Sequence, residues 1–189
     1  AEIIETGKEF DCKRDSFIKN KYSRVDYLKA LESCINNAKK PVLIHVQAFE
    51  NLPTEKELID YEIKNVLSKE GLLSQQAGDK EGKIISLFKQ KYSNTLFTTK
   101  CSRGIDFPGD VCNSVIFTKY TNPNLSDIFW KVLRKTHPAY FSDFYQDKAK
   151  REFLQKLYRA LRFPEDHVYV LSPDTRVLDA TRALQNNQK

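Results

Sequence analysis

Arg151, Gln155, Arg159 and Arg162 recur at intervals of four, four and three residues, the spacing that brings side chains to one face of a helix. Phe153, Leu157, Ala160 and Leu161 fall on the opposite face. The sequence therefore predicts an amphipathic helix over 151–162, stopped by Phe163-Pro164. A solvent-facing helix ordinarily mixes Glu with Lys at spacings of four, which relieves repulsion. This stripe holds three guanidiniums and one amide, with no carboxylate among them, and such a surface attracts a polyanion. Arg at both Arg159 and Arg162 offers planar forks that match phosphate oxygens, the chemistry used to sense the terminal phosphate of a nucleotide. A basic surface helix without a ligand is the plainer reading of the same residues.

The elements that must position this stripe follow from periodicity. A short strand near Phe10 leads into a helix from about Val25 to Asn37, whose Leu28, Leu31 and Ile35 share a face. Pro41-Val42-Leu43-Ile44-His45-Val46 is a continuous apolar run, the mark of a strand buried on both faces of a parallel sheet. Leu52-Pro53-Thr54-Glu55 starts a helix expected to run through Ser68, and Leu72-Leu73 reads as a short strand. A helix over 83–91, a strand at Thr95-Leu96-Phe97-Thr98 and a strand at Ser114-Val115-Ile116-Phe117 follow. Between those strands lies the loop from Thr99 to Asp110, which a parallel sheet places at its carboxyl edge, where ligands bind. A helix over 126–134 and a loop come next, then the arginine helix, a strand over 168–171 and a tail from Thr181 expected to fray. This alternation predicts a three-layer α/β domain with a mostly parallel sheet over residues 1–180, with 181–189 as the tail.

Composition narrows the function classes. The 189 residues carry a formal net charge of +6, with 30% charged residues, which suits a nucleic-acid or nucleotide partner. No apolar run reaches membrane-spanning length, and no signal-peptide or lipidation pattern is present, so the chain is read as soluble and intracellular, in cytoplasm, nucleoid or nucleus. It starts at Ala1 and contains no Met, and is read as a piece of a longer protein. Cys12, Cys34, Cys101 and Cys112 form no Cys-x-x-Cys pair, which argues against a metal or iron–sulfur site in this chain. Cys101 and Cys112 flank one loop and could approach each other, although an intracellular chain would hold them reduced. His45, His137 and His167 are scattered and read as packed or surface residues rather than general bases.

Taken together, Thr98 to Asp110 and Gln155 to Arg162 resemble motifs V and VI of superfamily 2 helicases, and in detail the carboxyl-terminal motor domain of the XPD and DinG type. Arg103-Gly104-Ile105-Asp106 looks like the core of motif V, and Phe107-Pro108-Gly109-Asp110 like its XPD-type continuation. Gln155, Arg159 and Arg162 match the polar positions of Gln-x-x-Gly-Arg-x-x-Arg, and Asp166 to Arg176, with Asp174, looks like the closing strand and turn. The resemblance implies a RecA-like fold of the P-loop NTPase type. It implies that Arg159 and Arg162 reach ATP on an N-terminal motor domain, with Gln155 orienting them or the attacking water. It places Gly104 and Asp106 near the nucleotide's ribose and Thr98 on the backbone of single-stranded DNA, and Lys100 is a second phosphate contact on physical grounds. Without the resemblance, Thr98 reads as a strand-end residue and Asp106 as a turn-capping carboxylate.

The sequence departs from the family pattern in two places. Tyr158 stands where motif VI has Gly, and Gln47-Ala48-Phe49 puts Ala48 where motif IV is expected to carry a hydroxyl. It also contains no Gly-x-x-x-x-Gly-Lys-Ser/Thr loop and no Asp-Glu-x-His segment, so ATP and Mg²⁺ are expected to be held mainly by the other motor domain. Any iron–sulfur cluster is expected there as well. Two functions remain open: half of an ATP-dependent DNA helicase, or a non-catalytic nucleic-acid or protein-binding module derived from one.

Overall fold

The computed structural model describes residues 1–19, 21–99 and 105–186. Five strands, β1 (Glu2–Ile3), β2 (Val42–His45), β3 (Thr95–Thr98), β4 (Ser114–Phe117) and β5 (Tyr169–Leu171), form one sheet in the order β1-β5-β4-β2-β3. Every pairing is parallel. β2 lies between β4 and β3, with Val42 opposite both Thr95 and Ser114, and His45 opposite both Thr98 and Phe117. Phe10, expected near a strand, forms an isolated parallel bridge with Asp174.

The continuous apolar runs of β2 and β4 are explained by burial on two faces, because successive side chains point opposite ways. Val42, Ile44, Ile116 and Leu171 pack with Leu28, Leu31 and Ile35 of α2 (Arg24–Asn37) and Leu72 of α4 (Lys69–Gly78). Leu43, Val115, Phe117 and Val170 face the other way. They pack with Phe88 of α5 (Lys83–Lys89), Phe153 and Leu157 of α7 (Pro138–Leu157), and Val177 of α8 (Thr175–Asn186). The result is the three-layer α/β arrangement expected of a RecA-like domain.

Local chemistry fixes the ends of these helices. Ser23 Oγ accepts from the Asp26 amide at 3.1 Å while the Asp26 carboxylate accepts from the Ser23 amide at 2.9 Å, a reciprocal cap that starts α2. Thr54 and Glu57 repeat the device at the start of α3 (Glu55–Asp60), and Glu57 also pairs with Arg24 at 3.1 Å. α2 is thereby tied to α3 on the same face of the sheet.

Several sequence expectations are corrected. The helix expected to reach Ser68 ends at Asp60, because Glu62 and Asn65 adopt left-handed backbone at φ 52° and 61°. Leu72-Leu73 is helical rather than a strand: Ser68 caps α4 by accepting from the Gly71 amide at 2.9 Å. The loop expected before the arginine helix is absent, since α7 is a single 20-residue helix beginning at Pro138 after the short α6 (Ile128–Thr136). At its far end α7 stops at Leu157, so Arg159 and Arg162 are not helical. Residues 181–186, expected to fray, continue α8, with Thr181 buried and its hydroxyl donating to the Val177 carbonyl at 2.9 Å.

Candidate functional site

The site is built where the chain leaves α7. Phe153 and Leu157 anchor the helix in the core, Phe153 lying 5.0 Å from the Phe117 ring at the end of β4. Beyond Tyr158 the amides of Arg159 and Ala160 still reach the Lys156 and Leu157 carbonyls, but further partners lie outside the helix. The Arg159 carbonyl accepts from the Phe107 amide at 2.7 Å, and Arg159 Nη1 donates to the Ile105 carbonyl at 2.8 Å. One residue thus holds the loop between β3 and β4 by main chain and side chain together. Those bonds replace the continuation of the helix, which is why the arginine periodicity does not persist as helical structure.

Asp166 closes the same junction. Its carboxylate accepts from the amides of Arg162 at 2.7 Å, Phe163 at 2.8 Å and Gly109 at 2.9 Å. The Phe163 amide, then those of Arg162 and Gly109, hold its carboxyl below the usual carboxylate range. Gly109 takes a left-handed φ of 61°, which a glycine adopts without strain while presenting its amide to Asp166.

Asp106 supplies the carboxylate that the arginine stripe lacks. Its Oδ1 lies 2.6 Å from Arg162 Nη2 and 3.8 Å from Arg159 Nη1. That oxygen is buried and, among the described residues, lacks a directed hydrogen bond, so the short contact to Arg162 is held by charge rather than by donor alignment. Arg151 is satisfied separately, by Asp147 one turn earlier on α7. The expectation of an unneutralised stripe is therefore corrected: its carboxylates come from a neighbouring loop and from the preceding helical turn.

The polar groups still converge. Gln155, Arg159, Arg162 and Arg151 line one open groove of about 450 Å³, with Tyr158 and Leu154 between them. Gln155 and Tyr158 are exposed on it. Thr98 stands elsewhere, at the carboxyl end of β3, nearly buried and lining a different groove with Gln75, Gln76 and Asp79. Gly104 and Lys100 lie outside the described residues, as does Cys101.

Three contributors were not singled out from sequence as parts of the site. Lys156 Nζ donates to Gln47 Oε1 at 3.1 Å and pairs with Glu152 at 3.1 Å, joining α7 to the turn after β2. His45, at the end of β2, is buried beneath that junction and stacks on Phe117 with ring centroids 5.0 Å apart. Burial, followed by the cations Lys156 and Arg159, lowers its pKa to about 3, so it is a neutral packing element at physiological pH. Asp166 is the third, and the four-residue interval from Arg162 was its available signal.

The Helicase C-terminal domain family matches residues 31–187 of the chain. No curated protein matches it. Among solved structures, S. tokodaii Xpd4 matches with a TM-score of 0.51 at 17% identity, over 90% of this chain and 34% of that one. The chain therefore spans about a third of the length of Xpd4 and shares the fold of that part. From the family match over most of its length, the chain belongs to the helicase C-terminal domain family.

Proposed function

We propose that this chain is the carboxyl-terminal motor half of an XPD/DinG-type superfamily 2 ATP-dependent DNA helicase. Arg159 and Arg162 act as arginine fingers toward ATP on the N-terminal motor domain. The supporting observation is the convergence of both guanidiniums on the single buried oxygen of Asp106, at the rim of an open groove. Two guanidiniums already drawn by charge to one carboxylate oxygen are positioned for a phosphate oxygen, and preorganisation is the main source of electrostatic catalysis. Arg162 and Asp106 are 46% and 33% exposed, so their pair is screened by water and opening it costs roughly 1 kcal/mol or less.

The groove fits the terminal phosphate of ATP, since the residues lining it include three arginines and a glutamine and no carboxylate. Bound ATP supplies the phosphoryl group whose transfer releases the energy for movement. Arg162 exchanges Asp106 for that phosphate, Arg159 keeps the β3–β4 loop in place while presenting its second nitrogen, and Gln155 orients them or the attacking water. Mg²⁺ is held mainly by the partner motor domain, as is the triphosphate. Thr98 and Lys100 contact the backbone of single-stranded DNA, and Gly104 lies near the ribose. Asp106 shares that position in the nucleotide-free state as the counter-ion of the fingers.

The test is reconstitution. The chain by itself should hydrolyse no ATP, because a finger stabilises charge on a phosphate held by another domain. Joined to its N-terminal motor domain, it should give turnover stimulated by single-stranded DNA. Turnover by the chain by itself would contradict the proposal.

A further inference from the structure

The connections from β2 and from β4 run in opposite directions, β2 leading to β3 on one side and β4 to β5 on the other. The crevice outside the carboxyl ends of two such neighbouring strands is the switch point at which open α/β sheets bind ligands. A recess of about 300 Å³ opens there, away from the arginine groove, lined among others by Arg14, Phe17, Tyr22, Tyr27, Arg24 and Lys119. Tyr27 Oη donates to the Thr118 carbonyl at 2.7 Å, which fixes one wall to the end of β4.

The lining divides into supports and available groups. Arg24 is committed: it pairs with Glu57 at 3.1 Å and donates to the carbonyls of Glu50 at 2.6 Å and Leu52 at 2.8 Å. Glu50, the carboxylate on the rim, is paired with Lys69 at 3.6 Å. Arg14 and Lys119 have no acidic partner among the described residues, so the recess has two cations to offer. Burial pushes the Cys12 thiol in the wall up to about 12, so it adds no opposing negative charge at neutral pH. The aromatic side is a column in which Phe10 stacks on Tyr22 at 5.2 Å and Phe17 lies against Tyr22 at 5.8 Å. Tyr22 is nearly buried, whereas Phe17, on the short helix α1 (Arg14–Ile18), is 46% exposed.

From this arrangement we infer that the recess binds one nucleotide unit, its base against Phe17 and its phosphate between Arg14 and Lys119. A flat apolar face beside two uncommitted cations matches a base with its phosphate, and stacking accepts any base. The recess is too small for more than about one such unit. The unit is supplied by a single strand passing over the sheet edge or by a free nucleotide. The first source rests on the helicase reading given above; the chemistry of the recess does not.

Fluorescence anisotropy of the chain with a labelled oligothymidylate, a matched abasic strand and a competing thymidine monophosphate tests this. Phe17→Ala should weaken oligothymidylate binding on the order of tenfold and remove the preference over the abasic strand. Arg14→Gln and Lys119→Gln should each lower the salt slope by about 0.7. Melting curves establish that the variants are folded, and Phe17 is exposed enough for its loss to be tolerated. Saturable, Phe17-dependent displacement by the monophosphate identifies a free nucleotide as the source, and its absence identifies the strand. Strand binding that is indifferent to the bases and to Phe17→Ala overturns the recess assignment while leaving the arginine fingers standing. Binding of neither strand nor monophosphate overturns the recess as well, and finger function is still judged separately by ATP turnover.

Discussion

Arg162 Nη2 lies 2.6 Å from Asp106 Oδ1, joining the loop after β3 to the turn after α7. Arg159 reaches the same oxygen from 3.8 Å. Asp106→Asn keeps the shape and removes the charge that both guanidiniums share. Because Asp106 is about one-third exposed, the loss should be modest, about 1 kcal/mol in urea unfolding, and smaller at high salt. An unchanged unfolding midpoint at low salt would show that the contact does not hold the loops together.

Asp166 makes a different kind of tie, three backbone amides on one carboxylate. Its folded pKa is depressed below the ordinary value of 3.8. Its contribution is therefore fully present above that value and is lost as pH falls through the lower, folded one. Asp166→Ala should speed hydrogen exchange at the Gly109, Arg162 and Phe163 amides at neutral pH, and the wild type should approach the variant's rates only in strong acid. Equal exchange in both proteins at pH 7 would count against the tie.

Strands β2 to β5 were legible in the sequence, because continuous apolar runs such as Val42 to His45 leave few other solutions, whereas the two-residue β1 was missed and Leu72-Leu73 was misread as a strand. The course of α7 was not legible. Its start carried a usable signal in Pro138, which favours the first turn of a helix, but the aromatic and polar residues after it obscured the period. Its end was hidden for a deeper reason. The spacing of Gln155, Arg159 and Arg162 is helical, yet the Arg159 carbonyl is taken by Phe107 and the Arg162 amide by Asp166, partners distant in sequence or in an irregular turn. Composition revealed that the arginines want an anion. It could not reveal that Asp106 meets that demand from another loop.

His45 gives a pH signature of its own. Its pKa of about 3 in the fold lies below the ordinary 6.5, so the unfolded chain binds the extra proton between those values. The stabilisation is thus fully present above about 6.5 and declines as pH falls toward 3, on the order of 1 kcal/mol per pH unit. His45→Gln should flatten the stability profile between pH 6.5 and 4 relative to wild type. Parallel profiles for the two proteins would mean that His45 titrates normally.

Phe153 connects the core to the site. It is 1% exposed and meets Phe117 at 5.0 Å and Tyr120 at 5.9 Å. Phe153→Ala should cost about 3–5 kcal/mol of stability through lost burial and the cavity left behind. A calorimetric loss below about 1 kcal/mol would show that α7 is not anchored there.

Differential stabilisation of the transition state by the two arginines is measured most directly by steady-state ATP turnover of the complete enzyme at saturating single-stranded DNA. Arg162→Ala is the cleanest variant, since its guanidinium pairs with Asp106, whereas Arg159 also supports the β3–β4 loop. Arg151→Ala is the control, because Arg151 pairs with Asp147 and is 68% exposed on α7. Arg162→Ala and Arg159→Ala should lower saturated turnover on the order of 10³-fold with little change in strand binding, and Arg151→Ala far less. Equal losses of binding in all three variants, with saturated turnover intact, would contradict the arginine-finger account and leave a nucleic-acid-binding surface in its place.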